Sequence, residues 1–331
     1  MEETRFTNNT GIPLSVAVWL CEDTYDYVDE PNYISVTTLM KSPRQIILGM
    51  RSSGSSKETP DIADRMASKF GTAIHSSIES AWLNDSEKAL QKLGYPLSVI
   101  QRIRINPEPE DLTPTTIPIY MEKRAFQKIG LFTIGGKFDF VGQGILEDFK
   151  TTGVWSYMSG SNEWKYKLQG SLYRWLNPEI ITNDYMNIQF IFTDWAKHEA
   201  KSKADKGYPP TRMFQHKIEL TSLPETHVWV KNKVALLESL ISTPEPELPL
   251  CDAVALWQEA PTFKYYKNPA KTDRSTKNFT TSAEAQIRWI EDGCVGSIVE
   301  VHGTAKGCLY CDAFNLCSQK DLLIANGTLR A

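Results

Sequence analysis

Gly136-Lys137-Phe138-Asp139, followed after eight residues by Asp148-Phe149-Lys150-Thr151-Thr152, is the stretch that decides the fold. An acidic residue closes one apolar strand, and Asp-x-Lys sits on the next. Side chains alternate along a strand, so Asp148 and Lys150 share a face while Phe149 points the other way. Two carboxylates from neighbouring strands, with an ammonium beside them, suit a divalent metal and a water nucleophile attacking a phosphate. Asp-x-Lys alone occurs by chance in many chains, so its surroundings must decide.

Around this stretch the pattern predicts a strand meander over Ile117 to Phe126, Leu131 to Val141 and Ile145 to Lys150. Gly135-Gly136 is expected to kink or bulge it, and Gly142-Gln143-Gly144 to turn it. A helix follows from about Ser161 to Leu176, then strands over Asn187 to Phe192 and Met213 to Leu220, then a helix from Leu223 to Ser242. Upstream, Val16 to Leu20 reads as a strand. Ser35 caps a helix whose apolar positions are Leu39, Ile46, Ile47 and Met50. Residues 52–60 read as a Ser/Gly/Lys loop. From Asp61 to about Trp82 apolar residues recur at Ile62, Met66, Phe70, Ile74, Ile78 and Trp82, with His75 beside the stripe. Residues 93–115, with four prolines, read as irregular. Pro244, Pro246 and Pro249 form a linker. The expected organisation is an α/β core over 1–243, a central mixed sheet flanked by helices, and a cysteine-containing appendage over 244–331.

Bulk composition bounds the class. Of 331 residues, 41% are hydrophobic and 23% charged, which reads as an ordinary globular protein. No apolar run reaches the roughly 20 residues that span a bilayer. The polar start Met1-Glu2-Glu3-Thr4-Arg5-Phe6 is no secretory signal, so no membrane role and a cytoplasmic location are expected. A net charge of −4 argues against coating nucleic acid, yet permits a nuclease with a local basic groove. Candidate basic stretches are Lys197 to Lys206, with four lysines, and Lys264 to Lys277, with four lysines and Arg274. Tyr265, Tyr266 and Phe279 accompany the second as stacking candidates. Solvated loops are the plainer reading of both.

Four features line up in chain order: Gly71-x-x-x-His75, Gly136-x-Phe138-Asp139, Asp148-Phe149-Lys150-Thr151, and Gln169-x-x-x-Tyr173. Residues four apart share a helical face, so Gln169 and Tyr173 can aim at one site. Together these motifs resemble the RecB-like branch of the PD-(D/E)XK nucleases, which have a restriction-endonuclease-like core; the likeness runs from about Ser35 to Leu176. The resemblance implies that His75, Asp139 and Asp148 ligate Mg²⁺ or Mn²⁺. It implies that Lys150 orients the attacking water and that Gln169 and Tyr173 position the DNA strand or the lysine. Glu122 matches a carboxylate on the strand before Gly-x-Phe-Asp. One imidazole and two carboxylates leave room for water and a phosphate oxygen, as a catalytic hard-metal site requires.

Six cysteines without an export signal read as thiols or metal ligands. Cys308, Cys311 and Cys317 have the spacing C-x2-C-x5-C, which favours metal ligation over three buried thiols. This end resembles iron–sulfur RecB-like nucleases such as AddB and the CRISPR adaptation nucleases, where three C-terminal cysteines and one N-terminal cysteine hold a 4Fe–4S cluster. The N-terminal cysteine is expected just before Pro43, and Ser42 stands there. Fourth-ligand candidates are Cys251, Cys294, Cys21 and His302. Cys251 is preferred, because Leu248-Pro249-Leu250-Cys251 resembles a phage-borne group of these nucleases; Cys294 is next. Four thiolates suit 4Fe–4S or Zn²⁺.

The expected function is a metal-dependent DNA exonuclease, phage-type, acting on linear single- or double-stranded DNA in recombination or DNA processing. A phage-encoded protein would work in the host cytoplasm. The alternatives are a non-catalytic DNA-binding or scaffold protein on a nuclease fold, and a structure-selective endonuclease. The acidic first 30 residues are either a docking segment for a recombination or helicase partner or a packed N-terminal strand.

Overall fold

Alternating apolar residues over 117–152 and 185–219 build the centre of the chain, seen in a computed structural model that describes residues 5–23, 26–52, 60–271 and 273–330. Most of the expected 52–60 loop, residues 53–59, lies outside the described residues. Two compact units emerge. The first comprises 1–40 and 57–235, the second 41–56 and 236–331. Where the sequence pattern divides the chain at 243/244, the units thus also exchange an N-terminal segment, Lys41–Ser56.

In the first unit, six strands form a mixed sheet. Counting every strand in chain order, β1 is Tyr33–Ser35, β2 Ile103–Ile105, β3 Ile117–Met121, β4 Arg124–Ile129, β5 Phe132–Lys137 and β6 Phe140–Gly142. β7 is Ile145–Thr152, β8 Tyr185–Phe192 and β9 Met213–Glu219. The sheet order is β2-β3-β6-β7-β8-β9. β2/β3 and β7/β8 are parallel, and the other three pairs antiparallel. Parallel neighbours need a crossover, which the helices Val154–Met158 and Glu163–Leu176 supply between β7 and β8. A smaller sheet, β1-β5-β4, completes the unit. The fold is a mixed α/β architecture with helices flanking a central mixed sheet. Among the described residues, no helix is long and apolar enough to cross a membrane.

The two long strands of the expected meander each break in two. The first is β3 in the large sheet and β4 in the small one; the second is β5 in the small sheet and β6 in the large one. The breaks face each other. Glu122 N–H donates to the Asp139 carbonyl at 3.1 Å, and Phe138 N–H to that of Lys123 at 3.3 Å. Glu122 has φ +49°, a left-handed conformation uncommon for a residue with a Cβ. Both chain segments therefore change sheets at one place, and that place carries Glu122 and Asp139.

Gly136 serves close packing rather than a kink. A Cβ there would lie 2.7 Å from Val36 and 2.8 Å from the Tyr173 ring. Val16 to Leu20 is helical, not extended: the helix Leu14–Cys21 buries Ala17 and Leu20 against Ile62. Its β-branched residues misled local propensity, which tertiary packing overrides. The helix expected after Ser35 is two, Val36–Leu39 capped by Ser35 and Pro43–Arg51 capped by a Ser42/Gln45 capping box. Within 93–115, β2 is an edge strand of the main sheet rather than irregular chain.

The second unit holds β10 (Thr262–Tyr266), β11 (Lys277–Phe279) and β12 (Ser297–Val301) in the order β11-β10-β12. Tyr265 is fully buried and its hydroxyl donates to the Val295 carbonyl at 2.9 Å, so it is core and not a stacking platform. Tyr266 is likewise buried.

Candidate active site

The long helix Met66–Lys92 brings His75 to the β7 strand. His75 Nε2 lies 3.0 Å from the Phe149 carbonyl oxygen. A carbonyl only accepts, so Nε2 carries the proton and, in the neutral ring, Nδ1 carries the lone pair. Nδ1 faces Asp139, 3.6 Å from Oδ1. The other Asp139 oxygen accepts from Phe149 N–H at 2.8 Å. Residue 149 thus fixes both groups through its backbone.

Glu122 joins them across the sheet change. Donor atoms of His75, Glu122 and Asp139 lie within 4.8 Å of one another. Lys137 Nζ is 2.6 Å from Glu122 Oε2. This group differs from the expected set of His75, Asp139 and Asp148. Asp148, buried, turns instead to Lys150 and the Gln169 helix: Lys150 Nζ lies 2.5 Å from Oδ2, and Gln169 Nε2 donates to Oδ1 at 3.3 Å. Gln169 also donates to the Tyr173 hydroxyl at 3.1 Å. The helix Glu163–Leu176 comes near enough through Gly170, where a Cβ would meet the Met186 sulfur at 2.2 Å and Leu220 at 2.9 Å.

Electrostatics bind the two halves. Burial, then the Asp148 charge, push the Asp139 carboxyl well above its ordinary range. Burial pulls Lys150 down, but Asp148 and Asp139 pull it up harder, so the ammonium stays charged. The crowding of carboxylates around His75 is the condition a divalent cation relieves. A cavity of about 760 Å³ opens beside His75, Glu122, Asp139 and Tyr173. Arg65, Lys69 and Arg124 also line it, each ion-paired, with Asp23, Glu22 and Asp26 respectively. Of the expected basic stretches, Lys203 is paired with Glu199 and Lys267 with Asp292.

Within the second unit, Cys251, Cys308, Cys311 and Cys317 line one small cavity. Cys294 and Cys21 are exposed, and His302 is paired with Glu300. Ser42 Oγ lies 3.0 Å from Cys251 Sγ. The helix carrying Ser42 therefore presents a hydroxyl at the place where Cys251 brings a thiol. Burial, then the neighbouring thiols, push Cys308 up to about 11. Sequence reasoning missed Arg44: its side chain is 1% exposed, and its Nε donates to Cys317 Sγ at 3.2 Å. Its other donors reach the Glu245 carboxylate, the Leu248 carbonyl at 2.9 Å and Ser318 Oγ at 3.2 Å. Its place two residues after Ser42 is the one sequence signal.

No family model matches the chain, and no curated protein matches it. Among solved structures, SSO0001 aligns with a TM-score of 0.39 at 15% identity, over 66% of this chain and 81% of its own. A phage-related exonuclease from Haemophilus somnus 129PT aligns with a TM-score of 0.28 at 15% identity, over 63% of this chain and 93% of its own.

Proposed function

We propose that this chain is a metal-dependent deoxyribonuclease of the RecB-like PD-(D/E)XK type, an exonuclease acting on linear DNA in phage recombination or DNA processing. The observation that carries this reading is the convergence of three metal donors, His75, Glu122 and Asp139, with the Asp148–Lys150 pair behind them. The donor set fits a hard divalent cation: two carboxylates and a neutral imidazole whose proton is committed to Phe149. Mg²⁺ or Mn²⁺, when bound, would lower the pKa of a water and polarise a phosphate oxygen.

The chain's own groups divide the remaining work. Lys150, kept charged by its carboxylate neighbours, would hold the attacking water and offset negative charge on the phosphate as the water oxygen bonds to phosphorus and the bond to the 3′ oxygen breaks. Asp148 holds Lys150, and Gln169 with Tyr173 holds Asp148. The four cysteines would hold a second group, 4Fe–4S or structural Zn²⁺, with the Arg44 N–H donating to the Cys317 sulfur.

The test is an assay on end-labelled linear single- and double-stranded DNA beside closed circles, with Mn²⁺ or EDTA, for wild type and Lys150→Ala. Metal-dependent loss of linear DNA that vanishes in the variant is expected. Cutting of circles would move the reading to an endonuclease. Intact DNA with metal-loaded, folded wild type would leave a binding or scaffold role. Metal analysis of Cys251→Ser and Cys294→Ser tests the second group: the first is expected to lose the bound metal and the second to keep it.

A further inference from the structure

The sheet carries more than the carboxylate site on the Lys150 face. β7, β8 and β9 run in register so that Lys150 lies opposite Phe190, and Phe190 opposite Phe214. Adjacent strands are about 4.8 Å apart, so this lateral row leads from the ammonium to two phenyl rings within roughly 10 Å. Tyr157 packs on the row, with ring centroids 5.2 Å from Phe190 and 5.3 Å from Phe214, both edge to face. Tyr166 links the row to the active site. Lys150 Nζ lies over its ring, 5.7 Å from the centroid, and the same ring is 6.1 Å from Phe190.

These rings pack on one another, Tyr157 also on Phe192 and His216, and still line open space. A cavity of about 260 Å³ has buried Phe190 as its floor and half-buried Tyr157, Tyr166 and His216 as walls, with Asn162 and Lys206 at the rim. Glu163 is also on the rim, 4.0 Å from His216 Nε2. Aromatic residues serving only as core would be covered. Here Phe190 is covered, but Tyr157, Tyr166 and His216 stay partly exposed where they line the cavity, and Tyr166 also lies against the proposed catalytic lysine.

We propose that this pocket is a stacking subsite for one unpaired nucleobase of the strand whose phosphate lies at Lys150, which makes the substrate a single-stranded or frayed DNA end. A base has two flat apolar faces and a polar edge, matching aromatic walls and the Asn162 and His216 edges. A base still paired in a duplex cannot enter a pocket walled on several sides, so entry requires an open strand. Lys206, which lines the cavity, and Lys150, which lies over the Tyr166 ring beside it, give the flanking phosphates cationic partners. This subsite rests on the nuclease reading and extends it to strand choice.

Equilibrium binding of the full chain decides it, by fluorescence anisotropy in Ca²⁺, which supplies a hard cation. The probes are an oligothymidylate strand, a strand of equal length built of abasic sites, and a blunt hairpin duplex. Wild type is expected to bind the base-bearing strand about 5- to 150-fold tighter than the abasic strand, the range for one stacked base. Tyr157→Ala is expected to erase that ratio without changing affinity for the abasic strand, and Tyr157→Phe to keep it. Equal wild-type affinity for base-bearing and abasic strands overturns the subsite even if Tyr157→Ala fails to fold. So does tighter binding of the blunt duplex. If wild type cuts linear DNA with Mn²⁺ but shows no base preference, the subsite falls and the nuclease stands. If it neither binds nor cuts DNA, both fall.

Discussion

Lys150 is a half-buried cation and Arg44 a fully buried one, and each organises a differently built region. Lys150 sits on a strand, and the two carboxylates that hold its charge, Asp148 and Asp139, are two and eleven residues before it. Arg44 opens a helix, and its partners Glu245, Leu248, Cys317 and Ser318 lie 201 to 274 residues away. The first arrangement is one strand and its neighbour, so the period of two in a short stretch exposes it. The second exists only after distant segments come together. Their surroundings differ too: Lys150 is half-buried against the Asp148 carboxylate, whereas Arg44 is 1% exposed with every donor engaged.

The largest effect is expected where that second construction is broken. Arg44→Met takes the guanidinium from Cys317 and two backbone carbonyls, and leaves the Glu245 carboxylate with Ser318 alone. Removing one partner of a buried ion pair costs about 3–5 kcal/mol. Arg44→Lys should recover little of it, since an ammonium cannot reproduce the planar fork. Amide hydrogen exchange checks this. Protection of the helix Ser318–Ala325 should fall in both variants, while β7 and β8 stay protected. Unchanged protection of that helix would show that Arg44 does not hold its region together.

A smaller effect sharpens the first construction. Glu122→Gln should weaken Mn²⁺ binding at least about 10- to 100-fold, the range for loss of one supporting group at a metal site. Asp148→Asn should weaken metal binding less and catalysis more, because Asp148 faces Lys150 and Gln169 rather than the three-donor group. Calorimetric Mn²⁺ titration of the two variants, beside their cleavage rates, separates the roles. Equal loss of affinity would return Asp148 to the donor set that the family resemblance implies.

What the sequence showed follows the same division. Asp148, Lys150, Gln169 and Tyr173 lie on regular elements with periods of two and near four, so their shared faces could be read directly. Glu122 could be placed only as a strand carboxylate. Its approach to Asp139 depends on two strands changing sheets at one point, with a left-handed residue at the corner. No hydrophobic pattern records that event, because both halves of each strand remain extended. Val16 to Leu20 failed for the opposite reason, a strong local β signal overruled by burial of Ala17 and Leu20 three residues apart. The cysteine cavity was legible through the C-x2-C spacing, while the Arg44 contribution was not.

Gly136→Ala probes how the strand and the Gln169 helix are matched. The added Cβ would press on Val36 at 2.7 Å and on the Tyr173 ring at 2.8 Å. Overpacking of this kind costs typically about 1–3 kcal/mol. Since Tyr173 accepts the Gln169 hydrogen bond, its displacement should also slow cleavage with metal affinity unchanged. Thermal melting and a comparison of kcat with Mn²⁺ affinity would check it; full stability and full rate would mean that this contact yields easily.

The smallest effect concerns a third cation, Lys233 in the helix Leu223–Leu240, which burial lowers from 10.5 to about 8. Here the folded-state pKa lies below the unfolded one, so between about pH 8 and 10.5 the folded chain binds fewer protons and stability rises with pH. Below pH 8 the charged form carries its full penalty in the fold; above 10.5 the penalty is gone. Lys233 is half-buried, so water screens part of it. Lys233→Met should therefore melt higher than wild type at pH 7 by on the order of 2 °C, with the gap closing toward pH 10. A gap that persists unchanged at pH 10 would trace the gain to packing of the new side chain. Lys150 should show the reverse preference for its charge, because carboxylates surround it, and the contrast between the two lysines isolates what the carboxylates contribute.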